Sequence, residues 1–270
     1  MRSIVITSAA VVATALYVAA LGLTSAGRRG AVDAQGKSAP AWNREAIPQE
    51  EATAVQPGAL TERQKIHSRL FAGHRTGRKL TELAATGTGD IVVTSLTPKP
   101  FIVGTPQCPR YPRPQLRNIS QDADAVVVGT LAAKKYSQLT EGGDFIFSDY
   151  ELKVDEVLKN NAAAPVAPGA SVTVARPGGA VLLNGRVVHG LAGNFRPFAA
   201  GGRYLLFLKY VPGTNSYQAF GSGSYQLLSE TAVSLFRSSS KPDEQPLGAF
   251  VTQVRDAISA GRCGSTPSLY

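Results

Sequence analysis

The side chains that could perform acid–base or nucleophilic chemistry are few and widely spaced. The chain has three histidines, His67, His74 and His189. A serine or cysteine nucleophile needs a neighbouring base and a third group that orients the base. His67 and His74 would share a helix face only if a helix continued past Gly73, and the Gly-Ser-Gly-Ser stretch 221–224 resembles a turn. We therefore interpret the histidines as surface residues, with His189 as the one candidate base for an enzyme.

Four acidic residues lie close together in one stretch: Asp149, Glu151, Asp155 and Glu156. The stretch has strand character, so its side chains alternate between two faces, and we expect these carboxylates to point mainly to water. The chain contains no phosphate-binding loop, no His-Glu-x-x-His motif and no calcium-binding loop. Its cysteines and histidines lack the spacing of metal ligands. The sequence thus predicts no catalytic residue, no metal site and no cofactor.

Composition limits the class of protein and locates the charge. The 270 residues are 43% apolar and only 17% charged, with a net charge of +9. These values exclude a disordered chain, a collagen, a coiled coil and a polytopic membrane protein. Residues 27–118 hold 14 basic and 7 acidic residues, whereas residues 119–270 hold 13 and 12. The basic N-terminal third is either a solvated linker, which we favour, or an arm that attracts an anionic partner.

The N-terminus has the pattern of an export signal or a membrane anchor. Arg2 precedes an uncharged run, residues 4–26, which Arg28 and Arg29 follow. The run is longer than the core of an ordinary signal peptide, and about long enough to span a bilayer. Small residues before positions 27 and 35 would suit cleavage. We interpret residues 1–34 as a signal peptide or an anchor; either one exports the rest of the chain, and an anchor would associate it with the membrane through residues 4–26.

The two cysteines fit an oxidising compartment. Cys108 and Cys263 are an even number, and they lie at the two ends of the predicted folded domain. If they are joined, they close a loop of roughly 156 residues, which would stabilise the fold by about 5 kcal/mol. The alternative is two unpaired thiols. We predict the disulfide and keep the unpaired thiols as the alternative.

The elements before the domain are predicted to be sparse. Residues 35–107 are interpreted as a basic linker of low structure, with a short helix near 61–85. Thr61 and Gln64 form a capping box that starts this helix. The glycine-rich stretch 86–90 precedes an apolar run instead of following a strand, so it is a turn and not a dinucleotide-binding loop.

The remainder is predicted to be mostly strands. A β-branched segment covers 123–130, and a long strand from 145 to 159 changes parity near Ser148 and Asp149, which indicates a bulge there. Asn184-Gly185 between two apolar runs predicts a two-residue hairpin. The other elements are strands at 171–175 and 203–210, a closing hairpin at 216–229, and an amphipathic helix at 244–260 with residues 264–270 as a tail.

These elements predict a mainly β protein. We expect a small, partly open antiparallel barrel of about six strands, because one long bulged strand can bend across both halves of a sheet. The C-terminal amphipathic helix should pack on the barrel, and the region before the barrel should be largely disordered.

Four segments carry a resemblance to a known family: ADAVVVGT (Ala123–Thr130), YELKVDEVLK (Tyr150–Lys159), SVTV (Ser171–Val174) and RYLLFLKY (Arg203–Tyr210). Their order resembles the netrin-like modules of tissue inhibitors of metalloproteinases and of uncharacterised bacterial exported proteins. The resemblance implies an OB-like barrel with a packed helix over residues 108–263. It does not extend to inhibition, because those inhibitors bind the protease zinc through an N-terminal cysteine, and Cys108 lies deep in this chain.

The sequence therefore predicts an exported, non-enzymatic binding module. Its partner would be an unknown protein or envelope polymer, not nucleic acid, since the barrel half is nearly neutral. The first alternative is a structural envelope component anchored by the N-terminal segment. The second is an enzyme with an unrecognised site that includes His189.

Overall fold

The computed structural model describes residues 51–55, 58, 60–95, 114–193, 195–236 and 243–260. The helices in these ranges are α1 (Glu62–Leu70), α2 (Leu80–Ala85), α3 (Pro114–Asp122) and α4 (Leu247–Ser259). The strands are β1 (Thr53–Ala54), β2 (Ile91–Ser95), β3 (Ala125–Leu139), β4 (Ile146–Lys159), β5 (Ser171–Pro177), β6 (Gly179–Leu183), β7 (Arg186–Ala192), β8 (Arg203–Val211), β9 (Ser216–Leu227), β10 (Thr231–Ser234) and β11 (Glu244–Pro246). All of these elements belong to one compact unit.

Five strands form the OB-like barrel, in the order β3-β4-β5-β9-β8 and back to β3. Four of the five pairings are antiparallel, and the fifth, between β5 and β9, is parallel, with Val174 opposite Tyr217. The sequence pointed to an antiparallel barrel of about six strands. The parallel pair joins segments about 40 residues apart, so no local sequence pattern predicts it.

Apolar side chains fill the barrel. Leu152 of β4, Val174 of β5 and Leu206 of β8 are fully buried in one interior cluster. The neighbours of Leu206 on β8, Leu205 and Phe207, belong to a second cluster outside the barrel. Strand β8 is therefore buried on both faces, which confirms the interpretation of its uninterrupted apolar run.

Helices α3 and α4 cover one outer face of the barrel. Phe250, Val254 and Ala257 of α4 have no measurable exposure and pack on that second cluster. This confirms the amphipathic stripe expected in the C-terminal helix. The helix begins at Leu247, directly after Pro246, and the three residues before it pair as β11.

The N-terminal part of the described chain is more structured than the predicted linker. Between positions 51 and 95 the chain forms two helices and two strands, where helical structure near 61–85 within a linker of otherwise low structure was expected. Strand β2 pairs in parallel with β7, and β1 pairs in parallel with β6. Val93, Leu80 and Val188 share one buried cluster. These pairings join segments that are far apart in sequence, which is why the periodicity of 51–95 alone did not reveal them.

The predicted hairpin at Asn184-Gly185 forms as β6 and β7. Both turn residues have positive φ, 50° and 74°, as a two-residue turn between twisted strands requires. The hairpin lies outside the barrel, in a separate four-stranded sheet of order β1-β6-β7-β2.

Two local predictions differ from the structure. The bulge expected in β4 near Ser148 lies instead in the partner strand, where Tyr136 pairs with Asp149 and Lys134 pairs with Tyr150. The segment expected as a closing hairpin at 216–229 is the continuous strand β9, which turns back only after Leu227 to pair with β10.

Several predictions concern parts of the chain outside the described residues. These are the signal peptide or anchor at 1–34, the disulfide between Cys108 and Cys263, and the tail at 264–270. Among the residues that the structure does describe, no helix has the length and apolar character needed to cross a membrane.

Candidate functional site

The structure places the candidate histidines in three different settings. His67 lies on α1 and is fully buried, which makes its interpretation as a surface residue wrong. His74 is half-buried, stacks on the ring of Phe145 at 5.3 Å between centroids, and lies 3.1 Å from Ser95 Oγ through Nδ1. Burial lowers the pKa of His74. His189 lines an open cleft.

This cleft lies where β5 leaves the barrel and the β6–β7 hairpin begins. It is open to solvent and is bounded by the end of β5, by β7 and by the loop before β8. Its lining residues are Tyr150, Arg176, Pro177, Gly178, Gly179, His189, Gly190, Leu191, Ala192, Phe195, Arg196, Pro197 and Phe198. Two arginines and four rings are thus present, and no aspartate or glutamate.

The backbone of the cleft depends on glycine at the crossing from β5 to β6. Gly178 and Gly179 have φ of 100° and 132°, which side-chain-bearing residues rarely adopt. A Cβ at Gly179 would lie 2.0 Å from Ser148 Oγ. Ser148 Oγ in turn donates a 2.7 Å hydrogen bond to Gly178 O. The barrel and the hairpin approach each other closely here because no side chain separates them.

Arg176 is the main charged group of the cleft. Its side chain, at the end of β5, is only 4% exposed. The guanidinium carbon lies 4.0 Å from the ring centroid of Phe198 and 5.7 Å from that of Phe195. One of its nitrogens donates a 3.0 Å hydrogen bond to Arg196 O. Because an arginine stays protonated in proteins, the cleft holds a fixed positive charge between aromatic rings.

The loop that carries the two phenylalanines is held by a buried tyrosine. The hydroxyl of Tyr204 accepts a 2.7 Å hydrogen bond from Ala199 N and donates one of 3.2 Å to Ala199 O. Burial raises the pKa of Tyr204 further above neutral, and its hydroxyl is protonated and able to donate. The cleft wall is thereby fixed before any ligand arrives, and this is the arrangement that suits an organic anion with an apolar body.

A second group of residues has the geometry of a Ser-His-Asp chain. His67 Nδ1 donates to Asp149 Oδ1 at 2.9 Å, and His67 Nε2 is hydrogen-bonded to Ser216 Oγ at 2.7 Å. The three residues come from α1, from β4 and from the first position of β9. Asp149 has no measurable exposure, so the expectation that its carboxylate points to water is wrong.

Further polar groups complete this buried network. Tyr136 donates a 2.7 Å hydrogen bond to the second oxygen of Asp149, and Arg63 Nε lies 3.7 Å from the same oxygen. Burial, together with Asp149, raises the pKa of Tyr136 far above its ordinary range. Thr214 Oγ1 lies 2.6 Å from Ser216 Oγ and donates at 2.9 Å to Val211 O.

Ser216, His67 and Asp149 have the hydrogen-bond pattern of a catalytic triad, but the serine in the nucleophile position is not accessible. Ser216 has no measurable exposure, and its Oγ is hydrogen-bonded on one side to His67 and on the other to Thr214. A substrate carbonyl cannot reach this atom in the present conformation, because acyl transfer needs the reacting atoms about 3 Å apart. What the network does here is attach α1 to the barrel.

Sequence reasoning missed this network, although one signal pointed to half of it. The capping box at Thr61 and Gln64 is formed, with both of its reciprocal hydrogen bonds. A helix that starts there puts Arg63, His67 and Phe71 on one face, four residues apart. Nothing in the sequence indicates that Asp149 and Ser216 lie opposite that face, since they are separated from it by about 80 and 150 positions.

Within the described ranges, no cluster of three or more His, Cys, Asp or Glu side chains could hold a metal ion. No known protein family matches the chain, and no curated protein matches it.

Proposed function

We propose that this protein is an exported, non-enzymatic binding module whose ligand is an organic anion with an apolar or aromatic body. The observation that carries the proposal is the buried guanidinium of Arg176, held against Phe198 and Phe195 in an open cleft. A carboxylate in the cleft would be attracted by the fixed charge of Arg176 and would pair with the less buried Arg196, and the rest of the ligand would lie against the rings. The carboxylate end of a peptide has this chemistry.

The affinity of such a site comes from its order before binding. The cation is desolvated when the protein folds and is already held by its rings and by Arg196 O, so binding does not have to immobilise it. A hydrogen bond to a charged group contributes about 1.5–3 kcal/mol. Loss of the ligand's charge should therefore weaken binding by about 10- to 100-fold.

The test compares two ligands that differ in one group. N-acetyl-phenylalanine carries a carboxylate, and N-acetyl-phenylalanine methylamide has the same body without the charge. We expect the first compound to shift amide resonances of the cleft residues in a ¹⁵N–¹H spectrum, and the second to bind at least 10-fold more weakly. Equal binding of both, or shifts located elsewhere, would contradict the proposal.

Variants connect the binding to the arginines. Arg176→Gln and the less buried Arg196→Gln should each weaken binding of the carboxylate and leave that of the methylamide unchanged. The matched control is Arg203→Gln, an exposed arginine of β8 that pairs with Asp155 at 3.3 Å, outside the cleft lining. If Arg203→Gln weakens binding as much as Arg176→Gln does, only the net charge matters and the cleft is not the site.

Export and the netrin-like relationship are further parts of the proposal. Export is supported by the apolar run at 4–26 and by the cysteine pair. The netrin-like relationship is supported by the OB-like barrel, which contains the four segments that carry the resemblance. The intact mass of the purified mature protein, measured with and without reductant and alkylation, reports both cleavage and thiol state. Retention on membranes after high salt and carbonate would favour the alternative of an anchored envelope component.

A second candidate function is acyl hydrolysis by Ser216, favoured by the hydrogen bonds that join it to His67 and Asp149. It requires a conformation in which Ser216 Oγ is open. Treatment with a fluorophosphonate probe, followed by peptide mass analysis, distinguishes the two functions. A binding module leaves Ser216 unmodified, whereas labelling that disappears in His67→Ala would establish a nucleophile.

A further inference from the structure

The outer barrel face beneath α1 is the face on which OB barrels bind their ligands. In that architecture the ligand lies on the second and third barrel strands, between the loop that joins strands one and two and the loop that joins strands four and five. The corresponding strands here are β4 and β5, and the loops are residues 140–145 and 212–215. Two residues of this surface, Asp149 and Ser216, are hydrogen-bonded to His67 of α1. Phe147 and Ala175 pack in one cluster with Phe71, the residue that caps α1, and Tyr136 is hydrogen-bonded to Asp149.

Helix α1 spans this face from loop to loop. Ser68 Oγ accepts a 2.6 Å hydrogen bond from Glu141 N in the first loop. At the second loop, a Cβ on Gly213 would lie 3.6 Å from Ile66 Cδ1, so helix and loop are in close contact. The chain has therefore placed one of its own segments where a ligand of an OB barrel would lie.

Helix α1 contacts this face as a bound peptide would, through charged groups on a carboxylate and a ring on a ring. Arg63, His67 and Phe71 lie four residues apart on one side of the helix. The first two reach the carboxylate of Asp149, at 3.7 and 2.9 Å. The ring of Phe71 stacks on that of Phe147, with centroids 6.0 Å apart. The fully buried residues within the helix itself are polar, His67 and Ser68, while Ile66 and Leu70 are only partly buried.

A helix of nine residues is unstable alone in water, so α1 depends on docking for its structure. Its polar groups can form hydrogen bonds with water when the helix leaves, whereas an apolar helix face would lose its burial. Undocking would uncover a carboxylate, three hydroxyl groups and a phenyl ring together.

We infer that this face is a second binding surface, independent of the cleft, whose ligand is a basic helical peptide segment. The segment presents a histidine or arginine to Asp149 and an aromatic residue one turn later to Phe147. Helix α1 is the internal occupant of this surface, and it keeps the surface closed until a partner helix of the same chemistry replaces it.

The experiment uses the chain's own segment as the probe. A fluorescent peptide of residues 60–72 is titrated with the full-length protein and with its His67→Ala variant, and binding is followed by anisotropy. The variant's own helix docks weakly, so we expect it to bind the peptide at least 10-fold more tightly than the wild type does. The same peptide carrying His67→Ala should bind neither protein.

Hydrogen exchange separates undocking from unfolding. In His67→Ala, the amides of 62–70 should exchange faster while those of β4, β5 and β9 remain protected. A second variant, Arg63→Glu, loosens the helix by placing a negative charge beside Asp149 without creating a cavity, and it should behave in the same way. Loss of barrel protection in both variants would show that α1 belongs to the core and would overturn the inference. So would failure of the peptide to bind a variant whose α1 is undocked and whose barrel is intact.

Discussion

The two helix-covered faces of the barrel are held by different chemistry. On one face, α4 buries Phe250, Val254 and Ala257 against an apolar cluster. On the other, α1 buries His67 and Ser68, and its strongest contacts are hydrogen bonds to Asp149 and Ser216. The barrel beneath is the same closed sheet in both cases. The difference lies in what each helix loses when it separates.

Separation of α4 exposes apolar surface, at about 25 cal/mol for each Å². Separation of α1 exposes polar groups that water can bond, together with the rings of Phe71 and Phe147. The largest loss occurs when one member of the network is removed while the rest stays buried. The comparison teaches that an apolar face makes a helix part of the core, whereas a polar face can make it a replaceable part.

The largest expected effect is on the apolar face. Phe250→Ala should reduce the free energy of unfolding by about 3–5 kcal/mol, because the ring is fully buried and the barrel cannot close the cavity. Urea denaturation followed by far-UV circular dichroism measures the free energy of unfolding. The control is Val251→Ala, at a half-buried position of the same helix, which should lose much less. Similar losses from the two variants would mean that α4 packs loosely, and the contrast between the faces would fail.

The next effect is on the polar face. Asp149→Asn removes the charge that faces His67 and Arg63 and should reduce the stability of α1 docking by about 1–3 kcal/mol. We expect faster hydrogen exchange in 62–70 with little change in α4. Asp155→Asn is the matched control, since Asp155 lies on the same strand but is exposed. If hydrogen exchange in α1 and α4 were accelerated equally in Asp149→Asn, the two helices would belong to one cooperative unit instead of two.

The faces should also differ in their response to acid. Burial lowers the pKa of His74, so the folded state holds this imidazole neutral and the unfolded chain binds its proton first. Its contribution is therefore complete above the ordinary histidine pKa of about 6.5, and is lost as the pH falls below it. Between pH 7.5 and 5.5, the protection factors of segment 71–79, which are corrected for the pH dependence of intrinsic amide exchange, should fall while those of α4 do not. In His74→Phe, which keeps a ring beside Phe145, this fall should be absent; its persistence would assign it to another group.

The sequence predicts the apolar face because local spacing encodes it. The positions of Leu247, Phe250, Val251 and Val254 follow the helical period, and the run in β8 shows a strand buried on both sides. Asn184 and Gly185 likewise specify their turn through backbone conformation alone. In each case the information lies within about ten residues, so the prediction does not depend on tertiary contacts.

The polar face and the cleft are encoded differently. Ser216 resembles any hydroxyl at the start of a strand, and Asp149 resembles any acidic residue of an exposed strand, until the barrel closes and brings both beneath α1. The sequence gives no signal for Arg176, because a single arginine has no periodicity. Its function depends on Phe195 and Phe198, which reach it through a loop. Such sites depend on pairings between distant segments, which a single sequence does not specify.

The smallest expected effect concerns an exposed ion pair on the apolar face. Arg255 of α4 forms a 2.7 Å ion pair with Glu156 of β4, a contact as short as any around His67. Both side chains are about half exposed, so water screens the pair, and Arg255→Gln should change stability by less than about 0.5 kcal/mol. The measurement is the same urea denaturation, with Asp149→Asn as the reference. A loss above about 1 kcal/mol from Arg255→Gln would mean that a polar contact also holds α4, and the division into an apolar face and a polar face would have to be abandoned.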